Sequence, residues 1–309
     1  MPVGLVWDER YLAHAAPDHP ESPARLTAIR EALQEAGLWD RLAHIPARRA
    51  TQDELLRVHS RRHVQDIQRS AAAEDIVWFD SDTYACPASW DSALLAAGGV
   101  FAAADAVMSG EVPSAFCAVR PPGHHASADR PMGFCLFNNV ALAVRHVQAA
   151  HGITRVLVVD WDVHHGNGTQ DIFYHDRNVF YISTHQWPLY PGTGRREETG
   201  EGPGAGTTRN YPLRAGSGDG EFLSAIDDGL AAAEALGPEF IFISAGFDAH
   251  RDDPLAGLAL TESAYAEATR RIRRLAERTA AGRIVSVLEG GYHLDALGRS
   301  AAAHIEALG

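Results

Sequence analysis

Val156-Leu-Val-Val-Asp160-Trp-Asp162-Val-His164-His165-Gly166-Asn167-Gly168 is the stretch whose reading decides the fold. It begins as a short unbroken apolar run, the mark of a strand buried on both faces of a parallel sheet. The run ends in two aspartates and two histidines, where glycines let the backbone turn. In open α/β sheets ligands bind beyond the carboxyl ends of the strands, so these polar side chains arrive at a functional edge. Asp162 and His164 stand two apart and in extended chain face the same side. An oxygen and a nitrogen converging in this way supply half of a zinc site, although Asp-x-His pairs also arise by chance.

The same alternation runs outward through the chain. Apolar runs predict strands over 2–7, 114–119, 155–160, 179–183, 240–244 and 284–288. Amphipathic segments predict helices over 89–108, 139–150, 221–236, 262–280 and 294–308. Ser22-Pro23 reads as an N-cap with proline at the first helical position, opening a helix that closes near Gly37. Thr51-x-x-Glu54 reads as a capping box. Strand and helix alternating in this way predict an α/β domain, a mostly parallel sheet with helices on both faces. The segment 186–217, dense in Gly, Pro and Thr, is expected to be a long functional loop. No repeat or linker divides the chain, so 1–309 is read as one domain.

Composition narrows the classes. The 309 residues are 46% apolar and carry a formal net charge of −13, from 27 Lys plus Arg against 40 Asp plus Glu. That balance argues against a nucleic-acid partner, which needs a clustered basic surface. It suits a cationic substrate, and equally a surface charged for solubility alone. Three widely spaced cysteines, Cys86, Cys117 and Cys135, make neither a disulfide framework nor a Cys-x-x-Cys clip, which predicts a cytoplasmic chain. No signal peptide is apparent, and the apolar stretch 93–108, interrupted by Asp105, reads as too short to span a bilayer.

Three further strand ends carry chemistry. Arg120-Pro-Pro-Gly-His124-His125 sets two histidines after a stiff turn, where groups that titrate near neutrality can move protons. Ser244-Ala-Gly246-Phe-Asp248 ends in an aspartate that would complete an Asp2His metal set with open positions, the pattern of a catalytic zinc. An aspartate after a glycine turn also serves as a helix cap or Asx-turn. Leu288-Glu-Gly290-Gly291-Tyr292 offers a phenol that can donate to a developing oxyanion, or a tyrosine that merely packs. The run His250-Arg-Asp-Asp253 reads by default as a solvated turn.

Taken together, these blocks resemble the histone deacetylase family and its arginase/deacetylase fold. The resemblance covers nearly the whole chain: His19-Pro-Glu21-Ser-Pro-Ala-Arg25-Leu, the Arg120 block, Gly133-Phe-Cys-Leu-Phe-Asn-Asn, Asp160 through Gln170, Ala245 through Pro254, and Glu289-Gly-Gly-Tyr. Trp161 and Asn167 resemble the class II branch and its bacterial relatives. The resemblance implies an eight-stranded sheet and one catalytic zinc held by Asp162, His164 and Asp248. It implies that His125 is the general base and then acid, oriented by Asn167, and that His124, held by Asp160, acts electrostatically. It further implies that Tyr292 polarises the scissile carbonyl and that the Gly133 carbonyl receives the substrate amide N–H. Phe134 and Tyr190 would flank a narrow tunnel, and a structural potassium ion would lie near Asp160, Asp162, His164 and Ser183.

The implied substrate is an acylated lysine of a protein or peptide, or else an acetylated polyamine. Some polyamine-selective relatives place a glutamate where this chain has Leu255, which weakens the polyamine reading; Asp82 and Asp91 of this chain are alternative gatekeepers. Arg25 reads either as the lining of an internal channel or as one half of an ion pair. A two-manganese ureohydrolase and a catalytically inert acyl-binding module are the other classes weighed. A homo-oligomer is left open, and no membrane partner is expected.

Overall fold

The computed structural model describes residues 1–309. Ten strands occur in chain order: β1 (Gly4–Val6), β2 (Ala43–His44), β3 (Val77–Trp78), β4 (Tyr84–Ala85), β5 (Ser114–Cys117), β6 (Val156–Asp160), β7 (Val179–Gln186), β8 (Thr208–Leu213), β9 (Phe240–Ala245) and β10 (Ile284–Leu288). Nine α-helices accompany them: α1 (Ala24–Glu35), α2 (Gln52–Leu55), α3 (Arg61–Ser70), α4 (Ser89–Ser109), α5 (Asn139–His151), α6 (Asn167–Phe173), α7 (Asp219–Glu234), α8 (Glu262–Thr279) and α9 (Leu294–Leu308). Eight strands form one sheet in the order β2-β1-β5-β10-β9-β6-β7-β8, and every pairing in it is parallel. Only the small β3–β4 ribbon is antiparallel.

The apolar runs behave as their composition requires. β5, β6, β7, β9 and β10 are buried along their whole length, as central strands covered on both faces must be. Helices α1, α9, α8 and α7 pack successively against one another, and α4 packs against α5. Between helices and sheet lies a single apolar cluster of 80 buried residues.

Three expectations need correction. β8 lies inside the stretch expected to be loop, because it is an edge strand with Pro212 and a half-exposed pattern, and so lacks an unbroken apolar run. α1 starts at Ala24 with Pro23 as its cap residue, and the Ser22 hydroxyl does not cap it. α4 is 21 residues long and apolar enough to cross a membrane, so length does not exclude it. It is instead largely buried within the fold. The Thr51–Glu54 capping box is present, but it opens a helix of only four residues.

Candidate active site and metal centre

The four strands whose ends carry polar motifs, β5, β10, β9 and β6, are consecutive neighbours in the sheet. Their carboxyl-end loops therefore meet over one patch. Asp162 and His164 leave β6, Asp248 leaves β9, and their ligand atoms lie within 4.8 Å of one another. His164 Nδ1 is 3.1 Å from Asp162 Oδ1 and 3.3 Å from Asp248 Oδ2. Asp248 Oδ2 is buried and has no hydrogen-bond partner. An orphaned carboxylate oxygen facing another carboxylate and an imidazole is costly unless a cation joins them. The electrostatics of the cluster agree. Burial opposes charge on His164, yet the two carboxylates push its pKa up to about 10. Burial and the Asp162 charge push Asp248 up to about 7. The three residues fit a divalent metal. Gly290 makes room for them, since a Cβ there would fall 2.1 Å from Asp248 Oδ2.

The histidine pair is divided by its partners. His124 Nδ1 lies 3.0 Å from Asp160 Oδ2, which also accepts from the Tyr181 hydroxyl at 3.0 Å. Burial works against a charge on His124, but Asp160 and Asp162 outweigh it and push its pKa up to about 10. His125 has only the neutral Asn167 Oδ1, 2.8 Å from its Nδ1. Burial and the charges of His124 and His164 hold His125 well below 6.5. Because Asn167 Oδ1 can only accept, the His125 proton sits on Nδ1 and its Nε2 lone pair is free. His124 is thus a cation and His125 a neutral base.

Both histidines line a cavity of about 280 Å3 with Gly133, Phe134, His164, Leu189, Tyr190, Leu255, Gly290 and Tyr292. Phe134 and Tyr292 meet edge to face at 5.8 Å, and Tyr190 meets His125 at 5.2 Å. Leu255 and Tyr190 form an exposed rim, 38% and 40% accessible. Gly133 has φ +56°, and a Cβ there would stand 2.4 Å from the His125 ring. Phe134 also has positive φ, +69°, a strained conformation of the kind that collects at functional sites. The Gly133 carbonyl accepts from the Cys135 thiol at 3.2 Å. Asp82 lines the same cavity, whereas Asp91 pairs with Arg49 at the surface.

Several supporting residues escaped the sequence reading. The Glu289 carboxylate accepts from the backbone N–H groups of Gly123 and His124 at 2.7 and 3.1 Å, which fixes the histidine turn. A lone acid ending the apolar strand β10 was the available signal. Asp253 accepts from the N–H groups of Tyr292 and His293, so the run from His250 is no solvated turn; His250 and Asp253 are buried. Nothing in its spacing announced that role. Arg25 is fully buried, pairs with Glu21 at 3.0 Å and lies 5.1 Å from the Tyr292 ring. It is half of an ion pair.

Comparison with known proteins agrees with this geometry. The histone deacetylase domain family matches residues 19–308. A probable deacetylase of Archaeoglobus fulgidus is 43% identical over 96% of this chain and 82% of its own. Histone deacetylase 10, chloroplastic, of Oryza sativa subsp. japonica is 41% identical over 94% of this chain and 70% of its own. The crystal structure of the HDA15 HD domain superposes with a TM-score of 0.95 at 42% identity, covering 99% of this chain and 88% of that one.

Proposed function

The chain belongs to the histone deacetylase family, and on that footing we propose that it is a zinc-dependent amidohydrolase removing acyl groups from acyl-lysine side chains. One observation carries the reading. The Asp162–His164–Asp248 cluster, with its orphaned Asp248 oxygen, opens onto the cavity that holds His125 and Tyr292. Zinc held by those three residues supplies Lewis acidity, polarising a carbonyl and lowering the pKa of water from 15.7 towards about 7.

The protein groups divide the remaining work. The free His125 Nε2 takes the proton of the attacking water, and Asn167 keeps the ring in the required tautomer. The same nitrogen returns the proton to the leaving amine, which is too basic to depart as an anion. The His124 cation, held by Asp160, lies beside the growing negative charge. The Tyr292 hydroxyl, which has no protein partner, donates to the oxyanion. The Gly133 carbonyl accepts the substrate amide N–H, and Phe134 and Tyr190 wall the aliphatic stem. Leu255 at the rim supports a neutral extended chain over a polycation.

The proposal extends to a structural potassium ion near Asp160, Asp162, His164 and Ser183. Asp160 and Ser183 face each other across β6 and β7, which supports it. Three free buried cysteines support a cytoplasmic location, and the net charge of −13 supports a partner set without nucleic acid. The test is turnover of an acetyl-lysine peptide against N-acetylputrescine and N8-acetylspermidine, with and without a chelator and a hydroxamate. Chelator-sensitive preference for the peptide is expected. Preference for the polyamines would overturn the substrate assignment, and turnover that survives complete metal removal would overturn the zinc.

A further inference from the structure

A second cluster of metal-ligating side chains lies far from the active site. Asp105 on α4 and His146 and His151 on α5 bring their ligand atoms within 4.8 Å of one another. Both imidazoles aim Nε2 at the same oxygen, Asp105 Oδ1, at 2.7 and 2.6 Å. The N-terminus of α5 abuts the catalytic histidines' loop, where Asn138 Nδ2 donates to the Ala126 carbonyl at 3.1 Å. His151 ends the same helix, roughly 20 Å away at 1.5 Å rise per residue. The cluster therefore shares nothing with the Asp162 set.

We propose that Asp105, His146 and His151 form a second site for a borderline divalent cation, zinc or nickel, which clips the end of α5 to α4. Two imidazoles and one carboxylate are a ligand set such ions prefer. His146 is held for the task. It is only 6% accessible, and its ring stacks at 4.7 Å and 14° on Phe101, one turn before Asp105 on α4. Its Nδ1 is buried, has no hydrogen-bond partner and faces the Glu54 carboxylate at 3.8 Å. With a cation on Nε2, the ring N–H lies on Nδ1 and faces the Glu54 carboxylate, the order of a carboxylate–histidine–metal arrangement. Arg48 in turn holds Glu54 at 2.7 Å. Asp105 and His151 keep side-chain accessibilities of 42% and 25%, so solvent can reach the cluster and complete the coordination.

The proposal is tested by counting zinc on the full chain after equilibrium dialysis at micromolar metal. The wild type should hold about two zinc ions per chain, and His151→Ala and Asp248→Ala about one each. His151→Ala should keep its turnover. In the Asp248→Ala background, added zinc should raise the melting temperature by about 5 °C at roughly 100-fold over the dissociation constant, and adding His151→Ala should abolish the rise. Asp105→Asn checks the same loss without disturbing α5. One ion on the wild type that Asp248→Ala loses, or a full complement on His151→Ala, would overturn the second site. Failure of the catalytic zinc would instead show as unchanged metal on Asp248→Ala.

Discussion

His125 donates from Nδ1 to Asn167 Oδ1 across 2.8 Å. That one bond to a neutral acceptor separates His125 from its neighbour His124, whose Nδ1 meets a carboxylate at 3.0 Å. Two adjacent histidines thereby acquire opposite protonation states, one ready to accept a proton and the other positively charged.

Asn167→Asp removes the distinction. A carboxylate against Nδ1 stabilises imidazolium, so the His125 pKa rises and the neutral base is lost as pH falls sooner than in the wild type. The acidic limb of kcat/KM should move up by about 1 pH unit or more. A pH–rate profile with an unmoved acidic limb would take His125 out of the base role.

Tyr292→Phe should lower kcat by about 10²–10³ while leaving KM nearly unchanged, because the hydroxyl is needed only once charge develops on the carbonyl oxygen. Steady-state kinetics on the acetyl-lysine peptide decide it. A loss confined to KM would make Tyr292 a binding residue.

Gly290→Ala tests the metal centre without touching a ligand. Its Cβ would sit 2.1 Å from Asp248 Oδ2 and 2.6 Å from Asp162 Oδ2. Zinc retention and turnover should fall together while the far-ultraviolet circular dichroism stays native. Full zinc content by metal analysis would contradict the packing argument.

Glu21 is buried between Arg25, Arg120 and His14. Burial opposes its charge, but the two guanidinium groups outweigh it and hold its pKa at about 2 instead of 4.5. A depressed carboxylate contributes stability that is complete above pH 4.5 and is lost as pH falls through about 2. Glu21→Gln should cost about 3–5 kcal/mol at neutral pH, since it leaves two buried arginines short of a counter-charge. Urea titrations across pH read both effects, and the variant should lose stability less steeply than the wild type between pH 4.5 and 2, the remainder belonging to other depressed carboxylates such as Glu54 and Glu262.

Much of the active site is legible in the sequence. Asp162, His164, Asp248, the histidine pair and Tyr292 each follow an apolar run, and an apolar run can be read locally. β8 was not legible, because an edge strand buries too little to need an apolar pattern. Nor was the work of Glu289 and Asp253, which act through backbone N–H groups 166 and 39 residues away in the chain.

By itself the sequence determined which chemical groups stand at which strand ends, since residue type and short spacing decide that within a few positions. Only the tertiary structure decided that β5, β10, β9 and β6 lie side by side, that Glu289 and Asp253 brace the loops of the site, and that Asp105 meets His146 and His151 across two helices. Protonation and metal affinity depend on distances of a few ångströms between groups far apart in the chain, and only packing sets those distances.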